Sequence, residues 1–224
     1  MDDIVSKLKN SITMLLVDEP VYGMLLLKMP VIASNEVETI ATDGVRLIVN
    51  KDFVENLEPK QLVSVLAHEA EHVIRLHPLR KTKIVKHYVD KGYIGEQINR
   101  VANILADCIV NEYLPDKIKN LLPEPITFDK VGLPEEAKKM SLEELVEYVI
   151  KNAIHVNLDL QLASGDLVSR DIEGEKLLDG DRDFEERLCV FIYIINLSEF
   201  PVYIRKISYL ETTLTEFILS LIHI

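Results

Sequence analysis

A chain of 224 residues is long enough to bury a sizeable core and short enough to be one domain with an appendage. Its 48% apolar and 28% charged residues describe a globular protein, and no uncharged apolar run approaches the roughly 20 residues of a membrane span. The net charge of −12 argues against a nucleic-acid partner, which needs clustered Lys and Arg. No segment resembles a signal peptide, so the expected compartment is the cytoplasm.

Residues 2 to 17 predict an amphipathic helix with Ile4, Val5, Leu8, Ile12, Leu15 and Leu16 inward, ended by Pro20. The runs MLLLKMPVIA, VETIA and VRLIVN then read as three short strands. Asp43-Gly44 between the last two is a hairpin turn, and taken alone it implies nothing beyond a turn. Asn50 and Asp52 are candidate caps for a short helix, and Glu58-Pro59 opens the next one.

That next helix carries HEAEH, residues 68 to 72, an HExxH pattern. Residues four apart on a helix lie roughly 40° apart on one face, so His68 and His72 can reach a single metal. Zinc is the usual choice, with an open position for water, and Glu69 is placed to take a proton from that water. Around the helix, Leu62, Val63, Val65, Leu66, Ala67, Ala70, Val73 and Ile74 form a broad apolar face. His68 and His72 share the remaining strip with Gln61, Ser64, Glu71 and Arg75, which is expected to face a cleft or solvent.

Pro78 pushes His77 out of helical geometry and is expected to end the helix, making His77 a helix-end residue that supports the ligands without being one. A metzincin would have a third His ten residues after the first, but Pro78 stands there, so that reading fails. The basic run Arg80, Lys81, Lys83, Lys86 and His87 reads as a solvated loop or helix end.

In residues 96 to 114, Asn99, Asn103, Asp107 and Asn111 recur every fourth residue along a mostly apolar helix. A carboxylate in the middle of a buried stripe needs a cation or several donors, which makes Asp107 the candidate third ligand. The asparagines would orient ligands or bind substrate backbone. Glu112 is the reserve ligand, on the opposite side of the helix from Asn103.

A Pro-rich connection follows Leu114, Ser141 and Glu144 form a capping box before a helix at 142 to 152, and residues 164 to 183 read as an acidic loop. Cys108 and Cys189 sit in apolar contexts without CxxC spacing and read as buried thiols.

Three pieces, TDGVRLIVN (42 to 50), LVSVLAHEAEHVIRLHPLR (62 to 80) and NILADCIVN (103 to 111), resemble a metallopeptidase-domain family often found N-terminal to a von Willebrand factor A-like domain. The matching residues are Thr42-Asp43-Gly44, His68, Glu69, His72, His77, Arg80, Asn103, Asp107 and Asn111. The likeness implies a zincin fold and a metal site of His68, His72 and Asp107. The chain departs from that family at Ala102, where an aromatic is common, and it is too short to hold a von Willebrand-like domain as well.

The expected fold is α+β, a small sheet packed on the HExxH helix with further helices. A zincin-like domain is expected over 1–155, and 156–224 as an extension of acidic loop plus apolar tail. The expected function is Zn2+-dependent hydrolysis of a protein or peptide substrate, with Glu69 as general base and Asn103, Asn111, His77 and Arg80 in supporting or substrate-binding roles. Arg80, Asn103 and a histidine are the candidates for oxyanion stabilisation. The competing expectation is a non-catalytic, metal-stabilised binding module whose acidic surface docks a partner.

Overall fold

The computed structural model describes residues 2–152, 154, 166–167 and 173–180. Cys189, residues 156–163 and the apolar tail lie outside the described residues. The fold is α+β.

Helix α1 (Asp2–Asp18) buries Ile4, Leu8, Ile12 and Leu15, the spacing that the sequence periodicity anticipates. Each such side chain contributes about 1.5–3 kcal/mol by leaving water. Pro20 does end this helix, but it also starts another. Helix α2 (Pro20–Lys28) takes the proline at its first position, where no backbone N–H is needed. The MLLLK segment expected as strand is therefore helical, and the strand β1 is confined to Val31–Ala33. The two helices come so close that a Cβ on Gly23 would sit 2.3 Å from the Leu16 Cα, so only glycine fits there.

Strands β2 (Ile40–Thr42) and β3 (Leu47–Val49) pair antiparallel as a hairpin, with Ile40 opposite Val49 and Thr42 opposite Leu47. The turn between them is built as its sequence dictates. The Asp43 carboxylate accepts from the N–H groups of Val45 and Arg46 at 2.8 and 2.7 Å, and from Arg46 Nε at 2.8 Å. Gly44 has φ +91°, a conformation that suits glycine. Strand β1 runs parallel to β3, and β5 (Glu175–Leu178) lies antiparallel on its other side. With β4 (Asp166–Leu167) beside β2, the order is β4-β2-β3-β1-β5. The sheet thus draws strands from beyond residue 155, and part of the expected acidic loop is strand.

Helix α3 (Lys51–Asn56) is capped by Asn50, whose side chain accepts from Phe53 N at 3.1 Å. Its last carbonyls receive Lys7 Nζ, at 2.8 Å to Val54 O and 2.6 Å to Leu57 O. Helix α4 (Pro59–Ile74) starts with a Glu58–Gln61 capping box and packs on α1, α2, β2 and the helices that follow. It stops at Leu76, a left-handed residue with φ 55°. The chain then turns straight into α5 (His77–Val89), with Pro78 in its first turn. The basic run, expected as a solvated loop or helix end, therefore lies wholly within a helix.

Helix α6 (Gly95–Tyr113) lays its apolar face, including Ile98, Leu105, Cys108 and Ile109, against Leu142, Leu145 and Val149 of α9 (Leu142–Lys151). The Ser141–Glu144 capping box that opens α9 is present. Between them the Pro-rich connection forms two single-turn helices, α7 (Asp116–Lys119) and α8 (Phe128–Val131), and a 3-10 turn over Glu135–Lys139.

Candidate metal centre

The polar strips of α4 and α6 face each other. His68 and His72 from α4 meet Asp107 from α6, and their ligand atoms all lie within 4.8 Å of one another. His72 Nε2 is 3.1 Å from Asp107 Oδ1, His68 Nε2 is 3.6 Å from the same oxygen, and the two Nε2 atoms are 2.9 Å apart. Tetrahedral bonds of about 2.0–2.1 Å hold ligand atoms about 3.3 Å apart, so this triangle has the edge lengths of one face of a metal polyhedron. Asp107 Oδ2 is buried without a hydrogen-bond partner, which a metal or its water would supply. The residues therefore fit a divalent cation by geometry and by donor chemistry.

The histidines do not face a cleft or solvent as the helical wheel suggests. His68, Glu69, His72 and Asp107 are all buried, at 0 to 1% exposure. A wheel shows which residues share a strip, but not whether a second polar strip covers it.

Each imidazole is held by its other nitrogen. Asn111 Nδ2 donates to Ile126 O at 2.9 Å, which turns Asn111 Oδ1 toward His68 Nδ1, also at 2.9 Å. His68 Nδ1 is thereby the protonated nitrogen, and Nε2 keeps its lone pair for the metal position. His72 Nδ1 lies 3.0 Å from His77 Nδ1. His77, the first residue of α5, is fully buried.

Arg80 is placed elsewhere. Its guanidinium pairs with the Glu143 carboxylate on α9, with Nε at 2.9 Å from Oε1, and reaches Arg75 O at 3.4 Å. That pairing commits the side chain to joining α5 with α9, against the expectation of an oxyanion role. Asn103 is buried on the same α6 face as Asp107. Glu112, the reserve ligand, pairs with Lys138 at 3.5 Å, away from the triangle.

Two residues near the centre are not singled out by the sequence. Lys81, expected in a solvated run, is the one Lys or Arg buried among the described residues, and its charge is felt at His72. The run of positive charges conceals it, although it falls one helical turn after His77 on α5. Glu71, the second Glu of the motif, accepts from Tyr22 Oη at 2.9 Å and from Arg75 Nε at 2.7 Å, tying α2 to α4. Burial, followed by the Glu71 charge, pushes the Tyr22 hydroxyl far up, so it stays a donor.

Burial lowers His72 to about 4, against the opposing pull of its hydrogen bond to Asp107. His77 is lowered well below the ordinary imidazole value, by burial first and then by His72. Burial would raise Asp107, but the His68 and His72 imidazoles beside it outweigh that and hold the carboxyl below its usual value. Both lowered histidines are thus neutral and able to donate a lone pair at neutral pH. In the metal-free protein the unfolded chain protonates these histidines near 6.5, while folded His72 waits until about 4. Over that interval the unfolded state binds more protons, so stability falls as pH drops. The depressed Asp107 adds a further loss at lower pH still, as its folded form titrates. The urea midpoint of metal-free protein should decline steadily from about pH 7 to about pH 4.5; a flat midpoint would contradict the burial of neutral imidazoles.

An α+β domain whose HExxH helix brings two imidazoles to a carboxylate on a neighbouring helix has the site of a metallopeptidase-type domain. The chain belongs to the family described as "Putative metallopeptidase domain", whose model matches residues 4–179. No curated protein and no solved structure gives a significant match. No described helix is long and apolar enough to cross a membrane.

Proposed function

We propose that the protein is a zinc-dependent peptidase acting in the cytoplasm on a protein or peptide substrate. The observation that carries this reading is the convergence of three donors, His68 Nε2, His72 Nε2 and Asp107 Oδ1, with no fourth protein donor in the group among the described residues. Catalytic zinc sites keep three protein ligands and one open position, whereas structural sites close all four. Zn2+ held by these side chains supplies Lewis-acid activation of water at neutral pH. Glu69, next to His68 on the same helix and fully buried, accepts the proton of the attacking water and returns it to the leaving amine. Asn111 and His77 keep the two imidazoles in register.

The burial of the whole cluster favours a second reading, a metal-stabilised binding module that does no chemistry. The two readings separate in one experiment. Elemental analysis of purified protein should give one zinc per chain, and casein should be cleaved in a manner that a chelator abolishes and added zinc restores. Stoichiometric zinc without cleavage, together with a large drop in melting temperature on chelation, would favour the binding module instead.

A further inference from the structure

The Thr-Asp-Gly turn and His77 are joined by a contact that neither predicts alone. A Cβ on Gly44 would lie 3.4 Å from the Pro78 ring, so the β2–β3 turn packs against the residue that follows His77. Thr42 fixes the turn from within, accepting from Gly44 N at 3.0 Å and donating to Arg46 O at 3.0 Å. The left-handed Leu76 sets the start of α5 on the other side. His77 is thus clamped between a strained turn and a built one, with its ring 5.1 Å from that of His72.

Its hydrogen bond has an unusual property. Both partners use Nδ1, at 3.0 Å, so one of the two must be protonated there and the other not. The Asn111 bond leaves His68 Nε2 as a lone pair. Without metal, His72 Nε2 at 2.9 Å from that lone pair and 3.1 Å from Asp107 Oδ1 must carry the proton. His72 Nδ1 is then an acceptor, and His77 Nδ1–H donates to it. When His72 Nε2 becomes a ligand it gives up that proton, and the neutral ring keeps its one N–H on Nδ1. The bond to His77 then reverses.

We propose that His77, seated by the packing of Gly44 on Pro78, is the positioning residue of His72, and that it moves its proton from Nδ1 to Nε2 when the metal binds. No net proton is needed: His72 shifts its N–H from Nε2 to Nδ1, and His77 shifts its own in the opposite sense. His77 Nε2 is buried with no hydrogen-bond partner, so it can take up the proton without breaking an existing bond. This inference rests on the metal-centre reading above.

The test uses the full chain labelled with 15N on its imidazoles. In metal-free protein the His77 proton should be on Nδ1; after one equivalent of zinc it should be on Nε2, with the His72 proton on Nδ1. Zinc binding that leaves the His77 tautomer unchanged overturns the inference while the metal centre stands, and a wild-type chain that takes up no zinc overturns both. Zinc affinity by chelator competition provides a second readout. His77→Phe should weaken binding by about 10- to 100-fold, the usual cost of losing an outer partner, and His77→Gln, whose carbonyl can accept from His72, should recover most of it. Gly44→Ala should weaken binding in the same direction. Asn50→Ala, which uncaps the distant α3, serves as a control for lost stability and should bind zinc as the native chain does. Equal losses in His77→Phe and His77→Gln, or native affinity in both, would remove the positioning role, and native affinity in Gly44→Ala would remove the turn from it.

Discussion

Glu69→Gln should bind zinc as the native chain does while peptide hydrolysis falls by about 10²- to 10⁴-fold, the range over which a positioned general base acts. The substitution preserves shape at a residue with no exposed surface, so folding is not the expected casualty. Glu69 does not belong to the ligand triangle, which separates proton transfer from metal affinity. Casein turnover and zinc stoichiometry, measured on the same sample, check both halves. Retained turnover would strip Glu69 of its role, and lost zinc would mean that it contributes to metal affinity.

Asp107→Ala should reduce zinc affinity by more than about 100-fold, since outer partners alone account for about 10- to 100-fold and Asp107 supplies a donor atom and the only negative charge in the triangle. It should abolish hydrolysis as well, because the two remaining imidazoles leave the cation to water. Chelator competition and isothermal titration of the variant measure the loss. Near-native affinity would show that the carboxylate at 107 is not a ligand. Because His72 donates to Asp107, the variant should also bring the His72 value down further, as the interactions that oppose burial disappear.

The candidate centre was more legible in the sequence than the fold around it. His68 and His72 could be paired from helical spacing alone, and Asp107 stood out because a four-residue polar period on an apolar helix must meet other polar groups. The helix boundaries were harder. MLLLK has the composition of a buried strand, and a short apolar run does not declare its period. In the sequence Pro20 and Pro78 look like stops, yet each sits in the first turn of a new helix, where proline is equally at home. The deciding feature at the second is Leu76, whose left-handed backbone reverses the chain in a way no propensity scale would assign to leucine. Lys81 was hidden for a different reason: its neighbours Arg80 and Lys83 are on other faces of α5, and charge composition carries no information about facing.

Strand β1 is wholly buried and apolar, and it is β5 that occupies its second hydrogen-bonding side. A chain cut after residue 155 would leave Val31, Ile32 and Ala33 as an unprotected template for other copies, the kind of ribbon that seeds aggregation. The segment that covers them is short and carries Glu175 and Lys176 on exposed positions, which makes it a poor template in turn. Its two opposite charges, which in the sequence look like mere solubility, therefore serve to end the sheet.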